Sequence, residues 1–252
     1  MLEIHHLNCV DIDAPTGDHA IGHCVVLKVN ESLVLIDSGI GVVDCLSPEL
    51  RLGKELIEMV GFNLHVEDTV YKQLKRLGLD PNCVTDIVVS HLDCDHIGGA
   101  SDFPKARLHV GLEEYHNYLS DNPRYLRNLL DHKPVVKLYE SASEQLFGLE
   151  VRKVDIEGDL KVYLTPLFGH TLGHCGVLYQ VANQWYFYIG DAYYLKAELF
   201  DDNHSVSQLT QARADDNDLR LKSMDIIKGF MKEYPDVKVY SYHDLEEYNS
   251  VV

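Results

Sequence analysis

Residues 84 to 99 read Val84-Thr85-Asp86-Ile87-Val88-Val89-Ser90-His91-Leu92-Asp93-Cys94-Asp95-His96-Ile97-Gly98-Gly99. The opening run is apolar and β-branched, which predicts a short buried strand. Four of the six residues from His91 to His96 are His or Asp, and a Gly-Gly pair that lets the backbone turn tightly follows. In an extended segment residues two apart face the same way, so His91 and Asp93 share a side while Asp95 and His96 come round as the chain turns. That geometry presents ligands to two adjacent metal ions. The plainer alternative is a polar turn in which Asp95 caps a helix. Two imidazoles and two carboxylates crowded together argue against it.

Other strand ends carry similar side chains. Val162-Tyr163-Leu164 leads into Phe168-Gly169-His170-Thr171-Leu172-Gly173-His174, which puts His170 in a glycine-flanked loop. His174 reads equally as a ligand or as a hydrogen-bond partner behind one. Asp191 in Gly190-Asp191-Ala192 ends the strand Trp185 to Ile189, His243 follows the last strand, and Asp37 sits at the mouth of Leu33 to Ile36. Singly, each is a cap or a surface residue; four such ends in one chain are hard to dismiss.

The chain has 252 residues and no long Pro/Gly/Ser-rich or charged linker, so one domain spanning 1–252 is the simplest organisation. With 46% hydrophobic residues it can bury a substantial core. Forty acidic against 22 basic residues give a net charge of −18, which opposes nucleic acid and anionic membranes as partners. A small-molecule substrate fits better. The six cysteines show no C-x-x-C spacing, which suits reduced thiols, and Met1 to His6 has neither a basic nor an apolar leader character, so the expected location is the cytoplasm.

Cys24–Val29 and Leu33–Ile36 predict a hairpin around Asn30-Glu31-Ser32, and Leu52, Leu56, Ile57 and then Val70, Leu74, Leu77 recur at helical spacing. A helical insertion is expected around 112–131, interrupted by Pro123. Strands follow at 149–154, 161–164, 177–181 and 185–189, then a helix at 219–233 and a strand at 237–240. Two strand-rich halves with helices predict two sheets packed face to face under outer helices, an α/β (α+β) architecture. No serine-hydrolase elbow, phosphate-binding loop or H-E-x-x-H helix is present.

Taken in order, Asp37, His91-x-Asp93-x-Asp95-His96-x-Gly98-Gly99, Gly169-His170-Thr171-x-Gly173-His174, Gly190-Asp191-Ala192 and His243 resemble the metallo-β-lactamase-fold hydrolases, over about residues 20 to 245. The resemblance implies a four-layer αββα sandwich with a metal site at one edge. Within that superfamily the chain looks most like the N-acyl-homoserine-lactone lactonases, the quorum-quenching branch. The similar features are the helical connection from Asp37 to His91, the Gly-His-Thr-x-Gly-His loop, Tyr194 three residues after Asp191, and His243-Asp244. It implies one metal on His91, residue 93 and His170, a second on Asp95, His96 and His243, Asp191 bridging, and Tyr194 at the substrate carbonyl; Tyr193 is the competing tyrosine. Two divalent ions, zinc first, are the expected cofactors, and a homodimer is allowed. A hydroxide between the metals would attack a lactone or ester, with Asp95 carrying a proton to the leaving alkoxide.

One position departs from the family's H-x-H-x-D-H: Asp93 stands where a histidine is usual. A carboxylate is a harder, shorter ligand, which favours manganese or iron over zinc or leaves one site weak. With His91 and His170 it also resembles a mononuclear iron site. The open alternatives are a glyoxalase II-type thioesterase, a phosphodiesterase, an iron-dependent sulfur dioxygenase, or a non-catalytic metal-binding relative. Cys94 is a weaker ligand candidate, because alternation along an extended chain points it away from Asp93. Substrate selection is expected from a lid around Tyr115, Tyr118, Tyr125 and Leu126, against the alternative that this helix simply packs on the sandwich.

Overall fold

The computed structural model describes residues 2–142, 144–158 and 160–252. In the first half, β1 (Leu2–Asp13), β2 (His19–Val29) and β3 (Ser32–Ile36) form an antiparallel meander. Val29 pairs with Ser32, leaving a two-residue turn whose first residue, Asn30, adopts a left-handed φ of 55° that asparagine tolerates well. Four short helices follow: α1 (Val42–Leu46), α2 (Pro48–Arg51), α3 (Lys54–Val60) and, after the two-residue β4 (Phe62–Asn63), α4 (Val70–Arg76). Then come β5 (Val84–Val88), α5 (Cys94–Ile97), β6 (Arg107–Gly111), α6 (Leu112–Leu119) and β7 (Val135–Tyr139). The first sheet has the order β4-β1-β2-β3-β5-β6-β7.

The second sheet contains β8 (Glu144–Leu146), β9 (Leu149–Lys153), β10 (Lys161–Pro166), β11 (Cys175–Val181), β12 (Gln184–Tyr188) and β13 (Lys238–Tyr240), in the order β13-β12-β11-β10-β9-β8. Helices α7 (Ser205–Arg213) and α8 (Asn217–Glu233) lie between β12 and β13, and α9 (Leu245–Asn249) follows. The two-residue side-chain period of a strand sorts this sheet cleanly. Val162, Leu164, Val177, Tyr179, Tyr186 and Tyr188 face the core shared with the first sheet, whereas Tyr163, Leu178 and Phe187 face α8 through Met224, Ile227 and Phe230. The result is the four-layer αββα sandwich of the metallo-β-lactamase fold. No helix among the described residues is long and apolar enough to cross a membrane.

Strand direction decides where chemistry gathers. β3 and β5 run parallel, and β12 runs parallel to β13 and antiparallel to β11. The segments after β3, β5, β10, β12 and β13 therefore emerge at one edge of the sandwich. Backbone hydrogen bonds stitch that edge across the sheets: Cys175 N donates to Ser90 O at 2.9 Å, His23 N to Tyr242 O at 3.0 Å and Ile21 N to His243 O at 3.2 Å. The Gly98-Gly99 pair serves this closeness rather than a turn, since Gly98 has an ordinary helical φ of −53°. A Cβ on Gly98 would lie 2.2 Å from Asp44 Oδ2, and one on Gly99 would lie 2.2 Å from Ser38 O.

Phe187 is fully buried between β12 and α8, its ring 5.0 Å from that of Phe230. Phe187→Ala should lower the unfolding free energy by about 3–5 kcal/mol, the usual range for emptying a buried aromatic site, as read by urea denaturation.

Candidate metal centre

The residues singled out by sequence meet at that edge. Asp191, just past β12, lies at the middle: its Oδ1 is 3.3 Å from His96 Nε2, and its Oδ2 is 3.3 Å from His243 Nε2, 3.5 Å from His170 Nε2 and 3.9 Å from His91 Nε2. Two triads share the space, His91/His170/Asp191 and Asp95/His96/His243, with the ligand atoms of each within 4.8 Å of one another. Asp93 adjoins the first, its Oδ2 lying 3.4 Å from His91 Nε2 and 3.2 Å from His170 Nε2. Asp95 Oδ2 lies 3.7 Å from His243 Nε2 and 3.8 Å from His96 Nε2.

Partners behind the imidazoles fix which nitrogen faces inward. His96 Nδ1 donates to Asp37 Oδ2 at 2.7 Å and His243 Nδ1 to Ile21 O at 2.9 Å. Ser90 Oγ donates to Asp37 at 2.7 Å, so it accepts from His91 Nδ1 at 3.0 Å. With the protons on Nδ1, each Nε2 turns a lone pair toward carboxylate oxygens. His91 Nε2, His96 Nε2 and Asp191 Oδ1 are buried with no hydrogen-bond partner. Buried lone pairs facing lone pairs are costly unless a cation lies between them, so this donor set of imidazole and carboxylate fits divalent metal.

Electrostatics point the same way. Burial pushes Asp95 above the usual carboxyl range. Burial also opposes ionisation of Asp191, but His243 and His96 outweigh it and hold that carboxyl well below its ordinary value. In His96 the carboxylates of Asp191, Asp95 and Asp37 overcome burial, and the imidazole is raised well above its ordinary value. A cluster that seizes a proton when nothing else is present is a cluster short of positive charge.

Asp37 reads from sequence as a strand-mouth carboxylate, and the structure places it behind the ligands, fully buried at a left-handed φ of 52°. It accepts from His96, from Ser90 and from the Tyr188 hydroxyl. His174, open between two readings, is also a supporting residue: its Nδ1 donates to Leu167 O at 2.9 Å and its Nε2 accepts from Asp191 N at 3.0 Å. Of the two tyrosines, Tyr193 is buried with its hydroxyl on Glu247, whereas Tyr194 packs its ring 4.7 Å from His243 and 5.7 Å from His170 and lines a pocket. Cys94 begins α5 instead of extending a strand, so the alternation argument does not hold; it lines the pocket with Asp93 and Asp95, as a thiol that burial pushes well above its ordinary pKa.

Asp93 holds the N-cap position of α5, yet its side chain makes no cap hydrogen bond. It is taken instead by Arg124, which donates from Nε to Oδ1 at 2.7 Å and from Nη2 to Oδ2 at 3.0 Å. Burial pushes the Asp93 carboxyl up, but Arg124 outweighs it and holds the group well below the usual range. Sequence reasoning missed Arg124, along with Glu114. The available signal was charge balance, since a buried Asp in place of a neutral His calls for a cation nearby. Glu114 is buried and accepts from Leu92 N at 2.8 Å, from Tyr125 OH at 2.9 Å and from Thr171 Oγ1, tying the His91-to-His96 loop to the His170 loop.

The pocket has a volume of about 740 Å³. Its floor is Asp93, Asp95, Asp191, Tyr194 and His243, and its wall is largely apolar, from Ile12, Leu52, Leu56, Met59, Phe62 and Leu209, with Asn122, Arg124 and Arg213 as polar members. The lid expected around Tyr115, Tyr118, Tyr125 and Leu126 is not what forms here. Tyr118 and Tyr125 pack into the core, and only the segment 122–124 and Leu126 reach the pocket. The α2–α3 segment, α7 and the β1, β2 and β4 residues Ile12, Ala20 and Phe62 supply most of the rest.

Burial pushes Glu114 up to about 7. A carboxyl raised on folding adds stability at acid pH that is lost as pH climbs through its folded value. Glu114→Gln should remove that loss, so that in chelator the variant gains about 3 kcal/mol on the wild type between pH 5 and pH 8, read by denaturation at each pH.

Comparison with known proteins agrees with this geometry. The signature described as "Metallo-beta-lactamase superfamily" matches residues 17–186. The chain is 31% identical to a "Probable metallo-hydrolase" of Mycobacterium tuberculosis, covering 98% of this chain and 82% of that protein. It is 25% identical to an N-acyl homoserine lactonase of Bacillus thuringiensis, covering 90% and 82%. Among solved structures it is similar to an N-acyl homoserine lactone hydrolase with N-hexanoyl-L-homoserine bound at its catalytic metal centre, at a TM-score of 0.75, 21% identity and coverage of 99% and 96%. The chain is a hydrolase of the metallo-beta-lactamase superfamily.

Proposed function

We propose that this chain opens a lactone or cleaves a small ester bearing an apolar acyl arm, in the manner of the N-acyl homoserine lactonases, at a centre for two divalent metals. What carries this is one juxtaposition: the triads His91/His170/Asp191 and Asp95/His96/His243 adjoin each other, and Asp95, Asp191 and His243 from them reach the floor of a 740 Å³ pocket whose wall is largely apolar. Such a pocket suits a hydrocarbon tail with its polar head at the metals. Similar structures solved with N-hexanoyl-L-homoserine at the catalytic metal centre and with N-decanoyl-L-homoserine at the active site support the same reading.

His91, Asp93 through Oδ2, and His170 would hold one ion; Asp95, His96 and His243 would hold the other, with Asp191 between them. Zinc suits the imidazole-rich set, and the carboxylate at 93 admits manganese or iron. Bound metals supply Lewis acidity toward a carbonyl and make water acidic enough to attack near neutral pH. The remaining work falls to this chain's own groups. Tyr194, its backbone N–H anchored at 2.7 Å on Glu198, stands over His170 and His243, where a phenolic O–H can donate to a developing oxyanion. Burial raises the Tyr194 hydroxyl well above its ordinary pKa, which keeps it a donor. Asp95, on the pocket floor beside His243, is the carboxyl placed to take a proton from the attacking water and hand it to the departing alkoxide.

Hydrolysis of an acyl-lactone panel should disappear on chelation and return with zinc or manganese; metal-free protein that keeps full activity would sink the proposal. Tyr194→Phe should lower kcat by about 10- to 100-fold with KM little changed, the signature of a contact made mainly in the transition state. Leu56→Trp should shorten the preferred acyl chain, seen as kcat/KM across a chain-length series.

A further inference from the structure

We propose that Arg124 is a built-in rival of the metal at the His91/His170/Asp191 triad, so that this half of the centre is the weaker one and loads only as the guanidinium withdraws. The proposal rests on the metal reading above and adds an order of loading to it. Arg124 Nη2 points an N–H at His170 Nε2 from 3.0 Å while also reaching Asp93 Oδ2. His170 Nε2 and Asp93 Oδ2 are themselves only 3.2 Å apart, and the shared donor bridges them. An imidazole nitrogen has a single in-plane lone pair, which accepts from a guanidinium or binds a metal, not both.

The guanidinium is placed rather than left loose. Its side chain is 12% exposed. From behind, Nη1 donates to Asp215 Oδ1 at 2.9 Å, to Arg213 O at 2.9 Å and to His170 O at 3.0 Å. Asp215 is in turn held by Asn117 at 2.7 Å and by the Leu172 N–H at 3.2 Å. The other triad has no such cation. His96 Nε2 and His243 Nε2 face the carboxylates of Asp95 and Asp191, and no arginine or lysine pairs with either acid among the described residues. A planar fork that matches a carboxylate at two atoms is hard to dislodge, so the two halves are unequal before any metal arrives.

Metal-stripped protein titrated with zinc against a chromophoric chelator, and with cobalt by visible absorbance, tests this. The wild type should bind in two steps, one tight and one weak. Arg124→Gln should tighten the weak step by about tenfold or more, the scale on which groups contacting ligands tune affinity, and leave the tight step in place. Asp215→Asn, which touches no proposed ligand side chain, loosens the arginine's rear anchor and should shift the weak step the same way; it decides the matter if Arg124→Gln does not fold. Two equally tight steps in the wild type, or a weak step that stays put or weakens in the folded variant, would overturn the proposal. A wild type that binds neither ion would overturn the metal reading itself.

Discussion

Uncompensated negative charge at one edge of the sandwich is the constraint on which the rest depends. Asp37, Asp93, Asp95 and Asp191 are each no more than 9% exposed, and among the described residues no lysine and no arginine but Arg124, on Asp93, pairs with them. Carboxylates so enclosed are tolerable only when something positive neutralises them. The partners behind the centre settle which lone pairs of His91, His96 and His243 point inward, and so where positive charge is needed. Much of the surrounding architecture serves that end: a left-handed residue at 37, a serine at 90 that both donates and accepts, and a buried histidine at 174 that orients the backbone of Asp191.

The two sheets divide the labour. The first supplies His91 to His96 from the turn after β5, held by Asp37 after β3. The second supplies His170, Asp191 and His243 from loops at the same edge. Neither sheet alone assembles either triad. Packing of the sheets sets ligand spacing, and helices on the outer faces set packing. Glu198 illustrates the link, since it takes the Tyr194 N–H, Thr210 of α7 and Arg220 of α8 onto one carboxylate.

The sequence made the strand ends legible because ligands there are compact local patterns, and the ordered set of motifs made the fold legible. What it hid acts at long range or lacks periodicity. Arg124 meets Asp93 across 31 residues and Asp215 across 91, separations at which spacing says nothing. His170 and His174 looked alike four residues apart, and only a loop that turns between them separates a ligand-facing ring from a supporting one. Strand β1 escaped notice because His5, His6 and Asn8 interrupt its apolar residues on both faces, and β7 because it is an exposed edge strand. The tyrosines of the insertion misled for a related reason: an amphipathic face looks the same from sequence whether it meets a substrate or a core.

The hydrogen bond from His243 Nδ1 to Ile21 O closes a loop of 222 residues. Loop closure of that length is entropically slow to win and is recovered only once both sheets have docked. The Asp95/His96/His243 triad is therefore among the last features of the fold to assemble. An ion held by Asp95, His96 and His243 would then arrive at the end of folding instead of guiding its start, and would mark a chain whose two sheets are already joined.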